Sequence, residues 1–311
     1  MSAWDPPVDY PFQASRANAG PHERALSLSG LTIDLRGLAD DQDAFVAGRF
    51  RRYLRGESAG RPDLTLNFYL EDHAPYYSVA EVSTGPSPYR MSHAIRDGVL
   101  YHASPAVCAR LDLRVADGRV LVPSWRASVS RLDPVHMAME NLLRSCLAWT
   151  VLMKGGLMVH AASVVKAGRC YLFFGNSGSG KSTIASICGG DVISDDLTMI
   201  LPGPGGFEAI GSPFRGTYSA CEDLTNRYPV VALYRLIKDE KVYLERRPRA
   251  VAFTDLLANL PFVVSEIDRH PEAWGVVENA FRNLRLYYLH FRKDASFWAV
   301  IEAEENERSS T

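Results

Sequence analysis

The stretch from Gly175 to Thr183, "GNSGSGKST", constrains this chain more than any other nine residues in it. It matches GxxxxGK[ST] through Gly175, four intervening residues, Gly180, Lys181 and Ser182. Backbone N–H groups converge on phosphate oxygens only in conformations that a Cβ obstructs, which explains glycine at Gly175, Gly178 and Gly180. The preceding run "CYLFF" reads as a buried strand and the following "STIASIC" as a short helix. The motif therefore sits in the strand-to-helix context that a phosphate cradle needs. Gly175, Asn176, Ser177, Gly178, Ser179 and Gly180 form the expected ATP-binding loop, and Lys181, Ser182 and Thr183 open the helix. Lys181 is expected to reach the β and γ phosphates, and the Ser182 hydroxyl to ligate Mg²⁺.

Acidic and basic candidates flank this loop. Upstream, "LMVHAASVV" is a second apolar run, separated from "CYLFF" by "KAGR", as expected of adjacent strands in a buried sheet. It carries His160, which is either a satisfied core histidine or an imidazole approaching the phosphates or the acceptor. Downstream, "DVISDDLTMI" supplies another buried strand ending at Asp195 and Asp196. Adjacent carboxylates permit a division of labour, with Asp195 supporting the metal shell and Asp196 taking the proton of an attacking hydroxyl. The plain structural alternative is a solvated turn that caps the strand.

The first half of the chain has a different grammar. Residues 1–22 lack periodicity and read as a flexible arm. Leu26, Leu28, Leu31, Ile33 and Leu35 alternate with polar or small residues, predicting two strands that meet near Gly30. "DQDAFVAGRFRRYLRG" has near-helical apolar spacing closed by Gly56, "LTLNFYL" at 64–70 is a period-two strand, and 109–123 reads as a hairpin turning at Asp117 and Gly118. Residues 23–132 are thus expected to form a mainly antiparallel β domain. A connecting helix follows over 133–156, with Asp133 as N-cap, Pro134 at the first helical position and Gly155-Gly156 as the stop. Met139, Leu142, Leu143, Cys146 and Leu147 give it an apolar stripe. The catalytic domain is expected over 157–300, with 301–311 as a tail.

Composition removes several classes of partner. The 311 residues are 47% hydrophobic, enough for two cores, and the formal net charge of −2 offers no field that draws in nucleic acid or an anionic membrane. No apolar run approaches membrane-spanning length and no basic-then-apolar leader opens the sequence, so a cytoplasmic protein is expected. Cys108, Cys146, Cys170, Cys188 and Cys221 are scattered without a CxxC pair, which suits small core residues better than bridges or metal ligands.

Taken together, "HAASVVKAGRCYLFFGNSGSGKST" and the nearby "VISDDLTMI" resemble the catalytic core of HPr kinase/phosphorylase and its kinase-like relatives, which share a fold with the ATP-dependent phosphoenolpyruvate carboxykinases. The resemblance spans 157 to about 250 and extends to about 300. It implies an α/β (α+β) chain, with a β-rich N-terminal domain and a C-terminal domain of the HPr kinase-like P-loop type. It further implies that Lys181 contacts the phosphates, Ser182 binds Mg²⁺, Asp196 accepts the hydroxyl proton, and His160 matches the active-site histidine before the loop. Family members assemble as homo-oligomers, so that assembly is possible here too.

Two departures stand out. Where the HPr-directed enzymes carry Glu-x-Arg-Gly, this chain has "SPFRGT", so Pro213 occupies the glutamate place while Arg215 and Gly216 persist. Arg215 is a candidate phosphate or substrate contact. The family's late arginine corresponds to one of Arg246, Arg247 or Arg249, in a register the flanking residues do not set. The function implied is an ATP-dependent kinase that phosphorylates a hydroxyl, foremost Ser or Thr of a protein or peptide. A kinase of a small-molecule alcohol and a nucleotide-sensing module without turnover are the alternatives. An ABC-type ATPase lacks its LSGGQ-like signature after the loop, since "SLSGLT" lies before it.

Overall fold

Alternating apolar patterns in the first half of the chain and apolar runs in the second become strands, and in the computed structural model they assemble into two eight-stranded sheets. The structure describes residues 18–56, 60–71, 91–104, 106–122, 135–214, 216, 218 and 226–309. The fold is mixed α/β, with six α-helices among the described residues. None of these helices is long and apolar enough to cross a membrane. The chain divides into two compact units, one comprising 1–153 with 265–271, the other 154–264 with 272–311.

In the first unit, β1 (His22–Leu28) and β2 (Leu31–Leu38) form the expected hairpin around Gly30. The remaining strands are β3 (Leu54–Arg55), β4 (Leu64–Leu70), β5 (Ser92–Arg96), β6 (Val99–Ala103), β7 (Cys108–Asp112) and β8 (Asp117–Val122). Their order is β3-β1-β2-β4-β8-β7-β6-β5, and every pairing is antiparallel except those of β4 with β2 and with β8. Helix α1 (Asp40–Arg49) ends before the expected Gly56, and Arg51–Tyr53 continue as a 3₁₀ turn.

The hairpin turn between β7 and β8 lies earlier than expected. Asp117 and Gly118 open β8, and Gly118 pairs with both Leu66 and Leu111. A Cβ at Gly118 would stand 2.6 Å from Leu66 Cδ2, so close packing rather than turn geometry calls for glycine there. Helix α2 (Val135–Met153) carries the apolar stripe, and its Met139, Leu142, Leu143, Cys146 and Leu147 are all buried. Contacts group α2 with the first unit, where the sequence reading makes it a connector. Asp133 and Pro134 lie outside the described residues.

The second unit begins with β9 (Leu157–Lys166) and β10 (Arg169–Phe174), an antiparallel hairpin turning at Ala167-Gly168. Then come α3 (Lys181–Ile187), β11 (Asp191–Ser194), β12 (Leu197–Gly203), β13 (Gly206–Ile210), β14 (Arg227–Lys238), β15 (Tyr243–Glu245) and α4 (Arg249–Leu257). Helix α5 (Pro271–Asn283), β16 (Leu286–Phe291) and α6 (Phe297–Ser309) complete it. Strands β10, β14 and β16 lie side by side and parallel, which directs their carboxyl ends to one edge. In open α/β sheets that edge is where ligands bind.

Residues 301–309, expected as a tail, continue the helix α6 that begins at Phe297. Phe297, Trp298 and Ile301 of α6 are buried, and Phe173 meets Phe297 edge-on at 5.7 Å between ring centroids. Trp298 Nε1 donates to the Cys188 carbonyl at 2.7 Å, tying α6 to the end of α3. The acidic remainder "EAEENE" hides this docking in the sequence, because only three positions face inward. The described cysteines, Cys108, Cys146, Cys170 and Cys188, are all free and buried, as small core residues should be. Cys221 lies outside the described residues.

Candidate functional site

The glycine-rich loop leaves β10 at Phe174 and enters α3 at Lys181. Gly175 has φ +151°, Gly178 +77° and Gly180 +110°, conformations that side chains with a Cβ rarely adopt. A Cβ would also crowd its neighbours. At Gly175 it would stand 2.6 Å from Arg235 Nη1, and at Gly180 2.6 Å from the Phe291 ring. Gly175 thus lets Arg235 of β14 and Ser179 of the loop approach the backbone, and Gly180 does the same for Phe291 of β16.

Lys181 is 9% exposed, and its ammonium donates to the carbonyls of Gly175 at 2.7 Å and Asn176 at 3.4 Å. Burial lowers its pKa, Arg235 lowers it further, and Asp196 acts in the opposite direction. The Ser179 hydroxyl is buried in the loop without a hydrogen-bond partner. Such orphaned atoms usually await one, and a phosphate oxygen suits it. Asn176, Ser177 and Gly178 are exposed on the loop, while Ser182 and Thr183 lie in the first turn of α3.

Strand register explains how His160 reaches the same place. The β9–β10 pairing runs to Ala161 opposite Phe174, so His160 is one residue further, level with the start of the loop. On its other side His160 pairs with Leu197, the residue after Asp196. His160 Nε2 accordingly lies 3.4 Å from Asp196 Oδ1. The sequence candidates Lys181, Asp196 and His160 thus converge from three separate segments.

Asp195 behaves differently from its neighbour. It is 4% exposed; Oδ1 accepts the Gly216 N–H at 2.8 Å and Oδ2 the Tyr218 N–H at 2.7 Å. A Cβ at Gly216 would come within 2.6 Å of Oδ2, so glycine lets the backbone wrap the carboxylate. Asp195, expected in the metal shell, thus holds the backbone at Gly216 and Tyr218. Among the described residues no group of three or more His, Cys, Asp or Glu could hold a metal. Mg²⁺ bound mainly through phosphates and water needs no such cage. Ser182, in the first turn of α3, and Asp196, beside His160, are oxygen-bearing side chains next to the loop.

Arg215 lies outside the described residues. The late arginines have other partners: Arg246 pairs with Glu304 at 2.5 Å, Arg247 pairs with Glu245 and covers the Tyr288 ring at 4.3 Å, and Arg249 covers the Phe281 ring at 5.1 Å. The cation that meets the loop is Arg235, which sequence reasoning missed. Its signal was a charge interrupting the apolar run "VVALYRLI", in a strand that must be buried.

No protein-family model matches this chain, and no curated protein is similar to it.

Proposed function

We propose that this chain is an ATP-dependent phosphotransferase that phosphorylates a hydroxyl, with Ser or Thr of a protein or peptide as the acceptor class. The observation that carries the reading is the meeting of Asp196 with His160, at 3.4 Å, beside the lysine of a glycine-rich loop. A carboxylate and an ammonium on one site are what transfer to a neutral hydroxyl needs: a proton acceptor and a counter-charge for the moving phosphoryl group.

In this reading the loop amides and the Lys181 ammonium bind the β and γ phosphates of ATP. Mg²⁺, when bound by Ser182, would supply further neutralisation of phosphate charge. Asp196 accepts the proton of the acceptor hydroxyl as its oxygen forms a bond to the γ-phosphorus, while the bond to the bridging oxygen of ADP breaks. His160 holds the Asp196 carboxylate toward the acceptor. Asp195 acts indirectly by fixing the backbone at Gly216 and Tyr218.

The test is incubation of the full chain with γ-labelled ATP, Mg²⁺ and a Ser/Thr-containing peptide library, beside Lys181→Ala. Label in polypeptide that is absent with Lys181→Ala supports the proposal. Equal labelling by the variant refutes the role of Lys181. Label only in acid-soluble compounds assigns the acceptor to small alcohols, and ATP binding with no transfer makes the chain a nucleotide sensor.

A further inference from the structure

We propose that Arg235 is a second phosphate-binding cation, acting beside Lys181 on the terminal phosphates of the bound nucleotide. This rests on the nucleotide reading above and extends it to a residue outside the motif.

β14 pairs in parallel with β10, and Arg235 stands opposite Phe174, the residue before the loop. Its Nη1 lies 2.6 Å from where a Gly175 Cβ would be, and the Lys181 ammonium donates to the carbonyl of that same Gly175. Two cations therefore converge on one residue of the cradle. Like charges so placed repel, and an anion between them relieves the repulsion.

A guanidinium has five N–H donors, and burying it without partners is costly. The Arg235 side chain is 17% exposed. Among the described residues its hydrogen bonding is limited to Nη1 donating to the Leu236 carbonyl at 3.2 Å, and Nε is buried without a partner. Asp255 offers Oδ1 at 3.8 Å, beyond hydrogen-bond length, while its Oδ2 accepts from the Tyr288 hydroxyl at 2.6 Å. A structural ion pair would satisfy the arginine; this one leaves its donors to spare at the mouth of a phosphate cradle. Arginine is the side chain suited to such use, because its planar fork takes two oxygens of one phosphate.

The experiment measures ATP, ADP and AMP affinities calorimetrically, with Mg²⁺, for the full-length protein and for Arg235→Gln and Arg235→Lys. Wild type is expected to prefer ATP and ADP over AMP. Arg235→Gln should lose roughly ten- to a hundredfold in ATP affinity with AMP affinity unchanged, the effect of removing one charge-assisted contact. Arg235→Lys, which keeps the charge and guards against misfolding of the glutamine variant, should fall between the two. Wild type that binds no nucleotide overturns the nucleotide reading and this inference with it. Wild type that binds ATP while Arg235→Lys or a folded Arg235→Gln keeps the same ATP-to-AMP ratio overturns the role of Arg235 alone.

Discussion

Substituting Asp195 and Asp196 one at a time should produce opposite defects, although the two are chain neighbours. Asp195→Asn keeps one acceptor oxygen and turns an NH₂ group toward the other backbone N–H, so one charge-assisted bond is lost and two donors face each other. Such a bond contributes about 1.5–3 kcal/mol, and a buried unpaired donor costs about 1–3 kcal/mol. Relaxation of the segment toward water offsets part of this, leaving about 3 kcal/mol, or roughly a hundredfold in the opening equilibrium. Hydrogen exchange reads this directly: the Gly216 and Tyr218 amides, which donate to Asp195, should lose roughly a hundredfold in protection. Asp196→Asn should leave both amides protected and lower phosphoryl transfer by about 10²–10⁴-fold, as expected when a general base is removed. If Asp195→Asn preserved that protection and abolished only Mg²⁺-dependent transfer, Asp195 would be a metal ligand and the anchoring argument would be wrong. If Asp196→Asn exposed the amides, the separation of roles would fail.

Two further outcomes concern stability. His102, fully buried on β6 with Nδ1 3.0 Å from the Ser145 hydroxyl, has its pKa lowered by burial to about 3. The unfolded chain binds that proton near pH 6.5, so stability is complete above 6.5 and falls with pH between 6.5 and 3. At 1.36 kcal/mol per pH unit, the loss from pH 7 to 5 is about 2 kcal/mol. Urea unfolding at the two pH values should show it, and the loss should shrink in His102→Asn; identical slopes would exclude His102 as the cause. Truncation after Ser296 removes buried Phe297, Trp298 and Ile301, each contributing about 1.5–3 kcal/mol. That sum rivals the whole stability of a typical domain, about 5–15 kcal/mol. Circular dichroism should then show loss of cooperative melting in the second unit, and a folded, nucleotide-binding truncation would contradict the assignment of α6 to the core.

Much of the site was legible locally because its chemistry is written in consecutive residues. The loop glycines, Lys181 and the hairpin that brings His160 level with Gly175 all follow from spacing and strand patterning. The turn before β8 was misplaced because Asp-Gly is a strong turn signal, while the demand for glycine at 118 comes from Leu66 on another strand. Helix α6 was missed because its acidic surface outweighs three inward residues in any local count.

The sequence by itself determined that a phosphate-cradle motif lies between a buried strand and a helix, with a histidine before it and an aspartate pair after it. Those are short-range facts, carried by backbone sterics and hydrophobic periodicity. The tertiary structure decided that Asp196, not Asp195, lies beside His160, and that Arg235 lies against Gly175. Asp195 is buried and accepts two backbone N–H groups, whereas Asp196, its neighbour in the bend between β11 and β12, lies 3.4 Å from His160. Arg235 reaches Gly175 only because β14 lies parallel to β10, and strand order is settled by long-range pairing that no local pattern encodes.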